Sequence, residues 1–362
     1  MIFSRIRDSL SVHLNLGQYM RRLVDIEREL SYITLRFGTG ASGNKIDTST
    51  PRLPILNKFG EGPIIVPSGA SWMSGTVYDG RPILFGNRRF IYFCGQASYR
   101  SDGAMFVGVA EWVNENIVVD PVPVLFPDIE VRGIDVPAFT VWRDEIVGAY
   151  LDDYGRDRTG RGYDTSLIIV RSSDGRKFKK SYCKHPFGKE WSRIGLPWLL
   201  ADGDYLWVYW RGKVGGNIRL VRTELSESLE SFVGDVVSVS LPRNAVNIAV
   251  TKRSSLYLLF YGGSRAGGLY VVPSSEGTAW DFSKEVMLVG NSGHEWGWDY
   301  FKICGSPDNT TNDNVELCYL GENATSMAVG AANFNIQTLK AAWDRSAQMG
   351  APPAMPLQYR GE

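Results

Sequence analysis

Along this chain, short apolar runs alternate with polar turns, and one arrangement of them recurs five times. A short apolar segment crosses a polar turn into a second segment rich in aromatics, which ends in a small or glycine-containing turn. The copies are PILFGNRRFIYFCGQ (82–96), PAFTVWRDEIVGAYLDD (137–153), PWLLADGDYLWVYWRG (197–212), IAVTKRSSLYLLFYGG (248–263) and FKICGSPDNTTNDNVELCYLG (301–321). A third strand-like segment follows each: AMFVGVAEW, SLIIVRSSDG, NIRLVRTEL, GGLYVVPSS and SMAVGAANF. The aromatics Phe93, Tyr150, Tyr209, Phe260 and Tyr319 fall 57, 59, 51 and 59 residues apart. Short apolar runs bounded by turns mark strands. A repeat of this size with three or four strands per unit marks propeller blades. The pattern predicts an all-β fold, a five-bladed β-propeller over residues 59–340.

Ahead of the blades the period changes. Leu16, Tyr19, Leu23, Ile26, Leu30, Ile33 and Phe37 alternate spacings of three and four, the a/d seam of a coiled coil. This predicts an N-terminal α-helix over 1–38. With Arg22 and Glu27 at g and e positions, it also predicts a homo-oligomer built through that helix. A helix packed on its own propeller is the competing reading. A membrane-surface reading, from Arg5, Arg7, Arg21 and Arg22 beside Ile2, Phe3, Ile6 and Leu10, ranks below both, and no membrane partner is expected. Residues 39–58, polar and rich in Gly, Ser, Thr and Pro, read as a linker, and 341–362 as a C-terminal tail.

The 362 residues suffice for one large all-β domain and an appendage. Lys plus Arg and Asp plus Glu number 39 each, so no global field favours nucleic acid. The longest apolar runs are strand-sized, and the first residues lack an apolar signal-peptide core, which gives a cytoplasmic expectation. Cys94, Cys183, Cys304 and Cys318 have no metal spacing; Cys304 and Cys318 fall on successive strands, with buried thiols expected in preference to a disulfide. No glycine-rich phosphate loop follows a strand and no zinc spacing exists, so neither metal nor cofactor is expected.

The first strand of each blade lines a propeller's central channel, so the segments leading into these strands are where chemistry is expected. They read SWMSGTVYDGRP, EVRGIDVP, KEWSRIGLP, RNAVNI and HEWGWDYFK. Carboxylates at Asp79, Asp135, Glu190, Glu295 and Asp299 alternate with cations at Arg81, Arg132, Arg193, Arg243 and Lys302. Trp72, Trp191, Trp296 and Trp298 lie just upstream, and His294 and Asn247 complete the polar set. Aromatic faces beside carboxylates suit sugars, whose C–H face packs on a flat ring while the hydroxyls need acceptors. Each residue also has a structural reading: Trp72 and Trp191 as blade-packing residues, Asp79 of the Asp-Gly dipeptide as a turn residue. Asp135 and Asp299, both two residues before the blade proper, are the leading catalytic candidates, with Asp79 and Glu295 as their partners. SSDG (172–175) and ADGD (201–204) read as blade turns, and 152–164 as a charged rim loop.

GPIIVPSGASWMSGTVYDGRPILFGNRRFIYFCGQ, DPVPVLFPDIEVRGIDVPAFTV and IIVRSSDGRKFKK resemble the five-bladed propeller glycosidases over about residues 60–335. These are the arabinanase and xylosidase group (family 43), the invertase and levansucrase group (families 32 and 68) and the mannoside phosphorylases (family 130). The resemblance implies three carboxylates facing a funnel, with Asp135 similar to the blade-two Asp. Asp79 is the blade-one acid nearby, yet Arg81 stands where that family has its acid, directly before proline. Glu190 lies far from Pro197 for the third. Arg81, Arg193 and Lys302 would make the funnel basic, as in phosphorylases that hold phosphate, or would neutralise neighbouring carboxylates. The expected function is therefore a carbohydrate-active enzyme (hydrolase, phosphorylase or transferase) acting on a glycan or sugar phosphate. The alternatives are a non-catalytic glycan-binding propeller on an oligomeric stalk, as in a virion-associated phage-like spike, and a scaffold without sugar chemistry.

Overall fold

The computed structural model describes residues 57–58, 62–98, 104–114, 116–127, 133–153, 166–184, 186–187, 191–242, 245–263, 269–289, 306–322 and 326–348. The heptad segment, with its expected helix and coiled coil, lies outside the described residues.

Four hydrogen-bonded sheets account for the described strands. One is an antiparallel meander of β10 (Trp191–Asp202), β11 (Tyr205–Val214), β12 (Asn217–Leu225) and β13 (Phe232–Ser240). A second is β14 (Ala245–Arg253), β15 (Leu256–Gly263), β16 (Leu269–Ser274) and β17 (Val286–Val289). A third joins β18 (Ser306–Pro307), β19 (Asn314–Glu322) and β20 (Met327–Asn335) to β1 (Asn57–Lys58), which pairs antiparallel with β20 at its outer edge. The fourth has eight strands: β2 (Thr76–Phe85), β3 (Arg88–Gln96), β4 (Met105–Val113) and β5 (Asn116–Val119), then β6 (Gly133–Trp142), β7 (Glu145–Asp153), β8 (Ser166–Ser172) and β9 (Lys179–Lys184).

The expectation of a five-bladed propeller is corrected here: the described strands form four sheets, one of them eight-stranded. The cause is local. A single parallel pair, Met105 with Gly133, merges two antiparallel meanders. Glycine permits this approach, since a Cβ at position 133 would lie 2.6 Å from the Cβ of Met105. The first strands β2, β6, β10, β14 and β18 pack neighbour against neighbour in a closed ring. The all-β propeller architecture follows.

Burial falls from the inside outward. The second strand β15, LYLLFYGG, is covered on both faces and buried from Tyr257 to Tyr261, whereas the outer strand β13 is mostly exposed. Aromatic and branched residues fit such pleated, packed surfaces. Ladder registers place Tyr92, Ala149, Tyr209 and Phe260 at one equivalent position, opposite Arg81, Ala138, Trp198 and Ala249. The Phe93 and Tyr150 of the sequence period thus sit one residue further along, on the alternate face of their strands.

Adjacent meanders are latched by buried tyrosines. Tyr92 Oη donates to the Gly175 carbonyl at 2.8 Å, and Tyr209 Oη to the Gly277 carbonyl at 3.2 Å. Both carbonyls belong to matching turns: Ser172 Oγ accepts the Asp174 and Gly175 N–H groups, as Ser274 Oγ accepts those of Glu276 and Gly277. SSDG is thus a blade turn, as its sequence indicated, and SSEG (274–277) repeats it. Gly175 and Gly277 have φ of +79° and +74°, which favours glycine there.

The chain ends differ from the expected boundaries. Residues 57–58 of the expected linker form β1. The helix α1 (Ile336–Gln348) crosses the expected limit at 340 and buries Ile336, Leu339, Ala342 and Trp343 in the core. No helix among the described residues is long and apolar enough to cross a membrane.

Candidate functional site

The first strands share an irregularity where they begin. β2, β6, β10 and β14 each lose register at the same point: between Tyr78 and Arg81, Asp135 and Ala138, Gly195 and Trp198, and Val246 and Ile248. Bulges bend a strand and re-aim its side chains, and they concentrate beside functional sites. Three of these bulges hold a non-glycine residue in the left-handed region: Asp79 (φ 54°), Leu196 (φ 53°) and Asn247 (φ 42°). Asp and Asn tolerate that conformation through local hydrogen bonding; a leucine before a proline does not, and Leu196 carries about 1–3 kcal/mol of strain.

Asp79 is the most informative of the three. It is 4% exposed, and its Oδ1 is buried without a hydrogen-bond partner among the described residues. It belongs to a strand, so the Asp-Gly dipeptide is a bulge here and not a turn. Gly80 fixes the bulge: a Cβ there would lie 2.5 Å from Cγ1 of Val329 on β20, so only glycine lets the last sheet approach. Thr76, 2% exposed, also has a buried Oγ1 without a partner, and it pairs in register with the buried Gln96. The start of β2 therefore concentrates buried polar groups in an otherwise apolar hairpin. Buried polar atoms are nearly always paired. Two buried oxygens without a partner among the described residues thus lie on one innermost strand.

Arg81 lies deeper in the ring. It is buried, its Nε donates to the Pro137 carbonyl on β6 at 2.9 Å, and its guanidinium carbon lies 4.9 Å from the centroid of Trp198 on β10. Trp198 Nε1 in turn donates to the Val250 carbonyl on β14 at 2.6 Å. Arg81 and Trp198 hold equivalent ladder positions, and together they cross-tie four first strands. The cation expected to line a funnel is thus part of the channel's packed interior.

The tryptophans take packing positions. Trp72, on the 3-10 turn Ser71–Met73, is 8% exposed, donates Nε1 to the Pro121 carbonyl at 2.9 Å and stacks 5.7 Å from Phe93. Gly108 leaves room for its ring; a Cβ there would lie 2.2 Å from the indole. Trp191, equally buried, packs 5.1 Å from Phe187. Asn247 is half-buried at its bulge. The backbone of Asp135 pairs with Leu151, one ladder position before the residue equivalent to Asp79, and that of Arg193 pairs with Lys213; their side chains lie outside the described residues, as do Glu190, His294, Glu295, Trp296, Trp298, Asp299 and Lys302. Sequence reasoning passed over Thr76, Leu196 and Trp198. The available signals were a polar residue inside an apolar strand and a leucine before proline at the position of Asp79. Among the described residues no three His, Cys, Asp or Glu side chains gather as a metal site.

A closed ring of first strands, four of them bulged where they begin, defines a β-propeller. Comparison with known proteins agrees at the level of fold. No protein-family model and no curated protein matches the chain. A β-1,2-mannobiose phosphorylase from Listeria innocua, solved with β-1,2-mannobiose, superposes with a TM-score of 0.61 at 12% identity, covering 80% of this chain and 99% of that one. A structure from the mannoside phosphorylase family 130, described as containing hydrolases that target β-1,2-mannosidic linkages in Candida mannan, gives 0.57 at 14% identity, over 78% and 94%. A Bacillus subtilis arabinanase gives 0.54 at 13% identity, over 78% and 98%. Identities this low carry the fold alone. The resemblance first read from the blade motifs holds at that level.

Proposed function

We propose that this chain is a carbohydrate-active propeller that seats a glycan over the starts of its first strands, with Asp79 at the centre of the site. In this reading the eight-stranded sheet counts as two blades, which makes five. The observation that carries the proposal is the Asp79 carboxylate: buried, in a left-handed bulge beside Gly80, and without a hydrogen-bond partner at Oδ1 among the described residues. Such a group is poised to accept from a sugar hydroxyl or from an attacking water. Asp135, Asp299 and Glu295 are the proposed second carboxylates, and their separation from Asp79 would set the stereochemical outcome. Arg193, Asn247, His294, Trp296, Trp298 and Lys302 are proposed substrate contacts. The commitment of Arg81 to Pro137 and Trp198 favours a substrate held without a phosphate on that arginine.

The test is a glycan-array screen followed by mass spectrometry of bound oligosaccharide after incubation, on the native chain and on Asp79→Asn. Shortened, extended or phosphorolysed product that vanishes in Asp79→Asn supports the enzyme. A glycan recovered intact, with affinity altered in the variant, supports a binding module. Binding and turnover both untouched in the variant refute the proposal. The heptad segment is proposed as an oligomerisation stalk, and removal of residues 1–45 should lower the solution mass to that of a single truncated chain.

A further inference from the structure

On the face opposite the segments that lead into the first strands, the hairpin turns of β2–β3 and β18–β19 frame a cavity of about 290 Å³. Its floor is apolar, with Ile83, Phe90 and Ile91. Its rim is polar and, over most of its length, already fixed in place. The β3–β4 register sets Arg89 opposite Trp112, with the guanidinium carbon 4.4 Å from the indole centroid. Arg89 also pairs with Glu316 across the gap between the two sheets. Asn309 acts as a strand neighbour for Leu84: its Oδ1 accepts the Leu84 N–H at 2.7 Å and its Nδ2 donates to the Leu84 carbonyl at 3.0 Å. Asp308, buried in the wall, pairs with Arg253 and accepts the Glu316 N–H at 3.0 Å.

We propose that this cavity is a second binding site and that it takes a single neutral sugar ring. Size limits the occupant, since 290 Å³ is at the lower end of small-molecule sites and admits one ring but not an oligosaccharide. Charge limits it further. Arg89 is balanced by Glu316 and Asp308 by Arg253, so neither an anion nor a cation finds an uncompensated partner. The rim carries the Asn312 amide, whose Oδ1 accepts the Asn314 N–H, the Thr310 hydroxyl, which donates to Asp308, and the Glu316 carboxylate, beside the indole of Trp112. Ring hydroxyls can pair with the Asn312 Nδ2, the Thr310 oxygen lone pair and the Glu316 carboxylate, and the apolar floor suits the C–H face of a sugar. The proposal is independent of the site around Asp79, which lies where β2 begins, whereas this cavity lies where β2 ends.

The test is calorimetric titration of the full chain with D-mannose, D-glucose, D-galactose, D-xylose and L-arabinose, each to about 100 mM, because single-ring affinities fall in the millimolar range. Saturable binding of at least one sugar is expected. It should weaken about tenfold or more in Asn312→Leu and in Glu316→Gln. Asn312 is exposed at the turn, so its variant remains informative if Glu316→Gln fails to fold. No saturable binding of any of the five sugars overturns the proposal. Binding that is lost in Asp79→Asn but kept in both cavity variants overturns it as well.

Discussion

Asp79→Asn separates a functional carboxylate from a structural one. The substitution keeps the side-chain shape and a residue type that tolerates the observed φ of 54°, so backbone strain is unchanged. What it removes is charge at a buried oxygen that no described group satisfies. A buried acceptor left unpaired costs about 1–3 kcal/mol, and an ionised one more. The neutral amide should therefore stabilise the fold by about 1 kcal/mol, a rise in Tm of roughly 2–3 °C for a domain of this size. The assay is urea unfolding followed by tryptophan fluorescence, with an unchanged m-value as the check that only stability has moved. Glycan turnover or binding, measured on the same preparation, should fall together with the gain in stability, as expected where a site holds strain for function. A loss of more than about 1 kcal/mol with glycan handling intact would refute the reasoning, because Asp79 would then be a packing residue whose partners are native.

The paired latches give a prediction with an internal control. Tyr92→Phe and Tyr209→Phe should each cost about 1–2 kcal/mol by leaving the Gly175 or Gly277 carbonyl unpaired, and the double variant should be additive to within about 0.5 kcal/mol; unequal or strongly coupled losses in denaturant midpoints would show that the two turns are not equivalent. Gly133→Ala should cost about 1–3 kcal/mol by overpacking against Met105, and hydrogen exchange should show lost protection at the β4–β6 junction before any other. Burial raises the Glu285 carboxyl from 4.5 to about 7. Its charged form is disfavoured in the folded state, so its contribution to stability is fullest below pH 4.5 and falls as pH rises towards 7. Glu285→Gln should remove that slope from a Tm-against-pH series, and an unchanged slope would assign it to other groups.

The sequence by itself determined the strands and their repetition, because alternation and turn chemistry are local. The hairpin turns at 86–87 and 203–204, the SSDG turn and the five aromatic-rich second strands were all legible from neighbours a few residues apart. Tertiary structure decided what each candidate residue does, because the deciding contacts span different sheets. Arg81 looks like a channel cation in sequence, and only the approach of β6 and β10 turns it into a cross-tie through Pro137 and Trp198. Trp72 looks like a sugar platform until Gly95 and Gly108 are seen to make room for its ring inside the first meander. The merging of two meanders rests on one glycine at 133 meeting Met105, and the apparent tail beyond 340 is a helix that buries Leu339 and Trp343 in the hydrophobic core. The approach of the last sheet to the bulge at Asp79 depends on glycine at position 80, because Val329, about 250 residues away, stands 2.5 Å from where a Cβ would lie. A pattern of local preferences can place an acid on a strand; only the packing of the other sheets against that strand leaves its oxygen without a partner.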